Sequence, residues 1–137
     1  MVIPKPQKPH RVSDRVLDGL VREYVRLISG GYCKRCKKYV GEENIATAHL
    51  FRRWRKTVRW DLRNVAPLCD NPPMGMMCHK TVDNDPIEMS SFMYEILSPD
   101  DIADLQRLAN MTIKEYPISR EQIKRDLKEK IALLEGA

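Results

Sequence analysis

Four cysteines limit what this chain can fold into more than any other feature. Cys33 and Cys36 are separated by two residues, and Cys69 and Cys78 by eight. A C-x-x-C turn can place two thiolates on one tetrahedral ion. The second pair is looser than a usual CxxC, but Asn71-Pro72-Pro73-Met74-Gly75 supplies turn-formers inside it. Four thiolates around one ion make a closed structural zinc site, which stabilises a segment short of apolar core. The competing readings are four unrelated buried thiols, or one redox CxxC with two bystanders. A redox motif calls for a βαβ context, which the segment around these cysteines lacks.

Compartment bears on this choice. The N-terminal MVIPKPQKPHR has no apolar h-region, so no secretory signal is expected. No apolar stretch approaches the roughly 20 residues that cross a bilayer. The expectation is therefore a cytoplasmic protein without a membrane partner, where disulfides are disfavoured.

Charge is unevenly spread. Residues 31–63 carry ten Lys/Arg against three acids, while residues 81–137 carry seven against twelve. The middle segment is a concentrated cation of the kind that suits a polyphosphate, because each neutralised phosphate releases condensed counterions. A merely solvated basic face is the plainer reading of the same charge.

Residues 1–12 read as an extended basic arm, 13–85 as a zinc-stabilised domain, and 86–137 as a helical extension. Ser13 is a good N-cap, and Val16, Leu17, Leu20, Val21, Tyr24, Val25 and Ile28 follow at helical spacing until Ser29-Gly30-Gly31. The segment around Cys33 and Cys36 reads as a tight knuckle between short strands. Ile45–Leu50 has the content of a strand leading to His49. Phe51–Trp60 reads as a loop, and Leu62–Leu68 returns toward the knuckle, with Pro67 arguing against a long central strand. Met77 to about Val82 opens a short helix. Pro86 begins another, with Ile87, Phe92, Met93 and Ile96 as inward residues. Ser98-Pro99-Asp100-Asp101 starts a further helix. Ser119 with Gln122 caps a last one whose stripe is Ile123, Leu127, Ile131 and Leu134.

Closing the cysteine clip would bring three polar residues together. His79 follows Cys78, Asn64 precedes Cys69 by five positions, and His49 ends the strand between the two half-clips. Taken singly, each is an ordinary surface or core residue.

The pattern CxxC, AHL, RWDLRNVAPLC and CH resembles the HNH (His-Me finger, ββα-metal) endonucleases, and among them the phage NinG/Rap-type recombination nucleases. The motif-bearing region is residues 31–83. The resemblance implies an α+β fold: a small zinc-stabilised ββα-metal core flanked by an N-terminal helix and a C-terminal helical tail. It implies His49 as the general base, Asn64 as the residue that holds its ring, and His79 as a ligand of one catalytic divalent cation, Mg²⁺ or Mn²⁺, with Zn²⁺ an alternative. Many members carry Asp or His immediately before the base; here that position is Ala48, and the NinG-like subset tolerates a small residue there. Asp83, four residues after His79, is the candidate second ligand, against a plain surface carboxylate, with Asp85 behind it.

Arg52, Arg53, Arg55, Lys56, Arg59 and Arg63 crowd the loop between base and asparagine, and are the expected phosphate contacts. The family's His-x-x-x-Arg spacing puts Arg53 nearest the scissile phosphate. Lys34, Arg35, Lys37 and Lys38 extend the patch. Trp54 and Trp60 could stack on unpaired bases, although Trp60 reads better as core. The expected activity is hydrolysis of DNA, double-stranded or branched, as in phage recombination. Two competing classes stand beside it. One is a non-catalytic zinc module that binds nucleic acid. The other is an interaction protein whose C-terminal helices form a homodimer or dock on a partner.

Overall fold

The computed structural model describes residue 2, residues 11–70 and residues 77–136. Most of the expected basic arm and the turn-formers Asn71–Gly75 lie outside the described residues. The fold is α+β, with five helices and one two-stranded antiparallel sheet.

Helix α1 spans Asp14–Ser29. The Ser13 hydroxyl accepts from the Val16 N–H at 3.2 Å, so one of the orphan donors of the first turn is satisfied. Leu17, Val21 and Val25, spaced four apart, form its buried stripe. Gly30 ends the helix in the left-handed conformation at φ 58°. Gly31 follows at φ 87°, and a Cβ there would meet the Tyr39 ring at 2.6 Å, so the knuckle closes against bare backbone.

Strand β1 (Ile45–His49) pairs with β2 (Val65–Cys69), with Ile45 opposite Cys69 and His49 opposite Val65. The position of Pro67 follows from the ladder. Leu50 N–H donates to Asn64 O at one end and Asp70 N–H to Asn44 O at the other. Hydrogen-bonded and non-hydrogen-bonded pairs alternate, so Thr47–Pro67 falls on a non-hydrogen-bonded pair. The absent N–H costs the ladder nothing. The Pro67 carbonyl, turned outward, accepts from Lys34 N–H at 2.8 Å and ties the knuckle to the sheet edge.

Helix α2 (Cys78–Asn84) buries Cys78 and Val82. Asp85 caps α3 (Pro86–Ile96) through the N–H groups of Ile87 and Glu88, and Ser98 caps α4 (Pro99–Ala109) through Asp101 N–H. Ser119 caps α5 (Arg120–Glu135) through Gln122 N–H. The Gln122 side chain bonds Asp126 and Arg125 rather than the cap, so the box is made on one side only.

Several residues read into apolar stripes are exposed instead: Val16 and Ile28 of α1, Ile87 of α3 and Leu134 of α5. Ile87 is 80% exposed, whereas Phe92 and Met93 are buried. Five residues separate Ile87 from Phe92, about 140° around the helix, so the two cannot share a face. Leu134 lies in the last turn of α5, beyond its buried residues Leu127 and Ile131.

The C-terminal helices share the core of the preceding segment. Leu17, Val21, Leu68, Cys78, Val82, Phe92, Ile102 and Leu127 belong to one apolar cluster, and α5 packs along α1. Val12, at the end of the expected arm, is buried in the same cluster. Val58 from the basic loop packs with Leu105, Leu108 and Ala109 of α4 in a second, smaller one. Leu17→Ala removes a fully buried side chain from the main cluster, and should cost about 3 kcal/mol in denaturant unfolding.

Candidate metal centre and adjoining cleft

The knuckle forms because Tyr32 and Tyr39 bridge as an antiparallel pair and Lys37 turns left-handed at φ 66° between them. Cys33 N–H donates to Lys38 O and Lys37 N–H to Cys33 O, which curls the CxxC turn around its thiols. Cys69 ends β2 and Cys78 begins α2. All four sulfurs lie within 4.8 Å of one another, and Cys36 and Cys69 are 3.9 Å apart. A tetrahedral zinc with bonds of about 2.3 Å sets sulfur–sulfur edges of about 3.8 Å, so the cluster is the right size. None of the four is in a disulfide. Together they can hold a metal ion such as zinc.

The surroundings favour thiolate at Cys36 and oppose it at Cys33 and Cys78, where burial raises the pKa. Burial pushes the Cys36 thiol up, but the Lys38 N–H and the neighbouring thiols outweigh it and bring it to about 7. Burial pushes Cys78 up to about 12, opposed by the Arg35 guanidinium 3.4 Å from its sulfur. Arg35 is itself anchored on Glu88 at 2.9 Å. Cys78 N–H points at the Cys69 sulfur from 3.3 Å. A central cation would offset the burial penalty that these donors only reduce.

His49 stands at the end of β1 with its Nε2 3.1 Å from the Arg59 carbonyl. A carbonyl only accepts, so Nε2 carries the proton and the lone pair belongs to Nδ1. Burial pushes the His49 pKa below its ordinary value, despite the opposing contact with Arg59 O. The ring is therefore neutral near neutral pH.

Asn64 is fully buried and does not touch that ring directly. Its Oδ1 accepts from Phe51 N–H at 2.7 Å, while its Nδ2 donates to Phe51 O and Val58 O at 3.1 and 3.0 Å. The resemblance leads one to expect Asn64 on the base. Instead it pins the loop whose far end supplies the carbonyl that holds the base.

The same loop is clamped from α1 by two carboxylates. Asp18 accepts from Arg59 (2.6 Å), Arg53 (2.9 Å) and the Trp60 indole N–H (2.9 Å). Burial works against its charge, but these donors hold its pKa below the ordinary range. Asp14 accepts from Arg120 of α5 at 2.6 Å and lies 3.2 Å from the Lys56 ammonium, and Arg120 above all lowers its pKa. The Arg120 guanidinium also lies 4.8 Å over the buried Trp60 ring. Trp60 is core, as its sequence context indicates, while Trp54 is 67% exposed with Arg55 over its face.

The candidate phosphate contacts thus divide. Arg55 bonds Ala109 O and the Asn110 side chain, and Arg63 is engaged by Asp61, Asp101 and Asp104. Neither lines the His49 cleft. Arg59 lines it but is largely buried in its pairs with Asp14 and Asp18. Arg53 and Lys56 line it from more exposed ion pairs, and Arg52 lines it with its side chain exposed.

This cleft, of about 1830 Å³, holds His49, His79 and Asp83 together with Thr47 and Asp70. His79 Nδ1 lies 3.4 Å from Asp70 Oδ1. Sequence reasoning missed Asp70; the available signal is its place directly after ligand Cys69. It also missed Asp14 and Asp18, which helical spacing puts on the same side of α1 as Arg15 and Arg22. Ala48 is buried and does not line the cleft. Among the described residues, only the four cysteines bring three or more ligand atoms to one point. His79 and Asp83 share the cleft without such convergence.

No family model, curated protein or solved structure matches the chain.

Two outcomes are expected. Stripping zinc with a strong chelator should melt the β1–β2–α2 region in circular dichroism, and Cys36→Ser should lower bound zinc in elemental analysis. His49 gives a pH signature. As pH falls, the unfolded chain takes up this proton first, near its ordinary pKa of about 6.5. The stability contributed by the neutral buried ring is complete above that pH and is lost below it. The melting temperature should decline on acidification below about pH 6.5, and His49→Gln should flatten that decline.

Proposed function

We propose that this chain is a metal-dependent DNA endonuclease of the HNH type, with a structural zinc in the four-cysteine site and a ββα-metal arrangement in β1, β2 and α2. The observation that carries the reading is His49. Its ring is neutral, its Nε2 proton is committed to the Arg59 carbonyl, and it lies in a cleft shared with His79. A lone pair on a fixed ring in a cation-lined cleft is what a general base for water requires.

In this reading His49 Nδ1 takes a proton from water as the oxygen attacks phosphorus. The new P–O bond forms on one side of the phosphodiester, and the bond to the leaving deoxyribose oxygen, which takes up a proton from solvent, breaks on the other. His79, with Asp83 in the same cleft, would hold one divalent cation, Mg²⁺ or Mn²⁺. When bound, that ion stabilises charge on the phosphate and the leaving oxygen. Asp70, 3.4 Å from His79 Nδ1, orients the ring so that Nε2 is the free ligand atom. Asn64 and Asp18 keep the Arg59 carbonyl in place behind the base.

A second reading, a zinc-stabilised module that binds nucleic acid without cutting it, is favoured by one observation. Ligand atoms converge at the cysteines and nowhere else among the described residues.

Cleavage of plasmid, flap and four-way-junction DNA by the zinc-loaded protein, with and without added Mg²⁺ or Mn²⁺, separates the two. His49→Ala should lower the cleavage rate by about 10²- to 10⁴-fold while DNA affinity stays unchanged. Equal cleavage by that variant would remove the mechanism. Binding without any cleavage would establish the second reading.

A further inference from the structure

The loop cations that sequence marks for DNA are mostly engaged by acids of this chain. A different set also lines the cleft. Arg15, Arg22 and Arg26 all face it from α1. Separations of seven and eleven residues place the three within about 40° of one another around the helix axis. They form a row spaced roughly 10 and 6 Å along that axis. Between them, Gly19 leaves open space, since a Cβ there would meet nothing within 4 Å.

These arginines differ from the loop cations in their partners. Arg15 and Arg22 are exposed and make no ion pair or side-chain hydrogen bond among the described residues. Arg26 is half-buried, its Nε directed at the Ile45 carbonyl at 3.4 Å, which holds the guanidinium beside the start of β1. Of the acids of α1, Asp14 and Asp18 in the cleft are occupied by Lys56, Arg59, Arg53 and Arg120, and Glu23, exposed beside Arg22, does not line it. The remaining carboxylates of the cleft, Glu43, Asp70 and Asp83, come from outside α1. On the loop after His49, Arg52 also lines the cleft, is likewise exposed and makes no ion pair among the described residues.

We propose that α1 is the principal phosphate-binding element: Arg15, Arg22 and Arg26 bind one sugar–phosphate strand of DNA along the wall of the His49 cleft, with Arg52 meeting it from the loop after His49. The proposal rests on the reading of this cleft as a DNA site. Its partner is set by charge complementarity. A row of guanidinium groups whose cleft-lining helix acids, Asp14 and Asp18, are paired with other cations matches a strand carrying one charge at every nucleotide, and guanidinium binds phosphate bidentately. The paired loop cations then serve to shape the base's surroundings, and α1 supplies the affinity.

The test is fluorescence anisotropy of a labelled DNA duplex with the zinc-loaded full chain, across a salt series and without added Mg²⁺ or Mn²⁺. The variant R15Q/R22Q removes two unpaired surface charges. The control R107Q/R125Q removes two charges from α4 and α5, away from the cleft. By counterion release, R15Q/R22Q should weaken binding ~60-fold at about 0.1 M salt and reduce the slope of log K against log salt by ~1.8, with little change in the control. Equal affinity and slope in the two variants overturns this proposal and leaves the nuclease reading untouched. A wild-type protein that binds no DNA overturns both. The expected loss in R15Q/R22Q, in a protein that never cuts, supports this proposal and removes the nuclease.

Discussion

Four sulfur atoms gathered within 4.8 Å lie where three segments of the chain meet, and one metal ion bound there would tie all three. The knuckle contributes Cys33 and Cys36, β2 contributes Cys69, and α2 contributes Cys78. The paired strands are only five residues long, and a two-stranded ladder of that length is marginal in water. Metal ligation would supply what the ladder lacks, because binding free energy at a site absent from the unfolded chain is folding free energy. Cys69 pairs with Ile45 and His49 with Val65, so the strand that carries a cysteine to the cluster also carries the pairing partner of the cleft's histidine. Arg35 adds a cationic donor to the cluster and ties it to α3 through Glu88, which extends the restraint beyond the ligands themselves.

A second restraint acts on the loop that the sulfur cluster does not reach. Residues 51–61 contain no regular structure beyond turns, yet Val58 and Trp60 are buried and Asn64 is fully enclosed. The loop is fixed from three directions: Asn64 from within, Asp14 and Asp18 from α1, and α4 through Leu108 O, which accepts from the Thr57 hydroxyl at 2.7 Å. An unpaired buried polar group costs more than a hydrogen bond gains, so these paired contacts specify a single loop conformation. The density of arginines in this stretch is thus partly a folding device.

How much of this was legible depends on the range of the interactions. Ser13, Ser98 and Ser119 act as caps because capping is a contact over three residues, and such signals survive in the sequence. The strand to His49, the loop after it, and the buried state of Trp60 were also readable from local composition. The CxxC turn identified half of the cluster, and the four cysteines together pointed to the whole. The division of the cations was not readable. Arg53, Arg55, Arg59 and Arg63 look alike as letters, and only tertiary contacts with Asp18, Asn110 and Asp104 separate them. The exposure of Ile87 was a phase error around one helix. Asp70 carried a signal only as the neighbour of a cysteine. The row on α1 was present in the spacing, but a helix with a strong apolar stripe draws attention to its buried face.

The contact between Arg120 and Asp14 spans 106 residues, and it bears on the order in which the molecule is made. During synthesis α1, the knuckle, both strands and α2 all emerge well before α5. A growing chain that has reached α2 has every cysteine, both histidines and Asn64, but not the guanidinium that lies over Trp60. Contacts of such separation form late, since closure entropy rises with the length of chain enclosed. The loop behind His49 therefore gains this support only after α5 has been made, and until then the cleft exists as an outline without that brace.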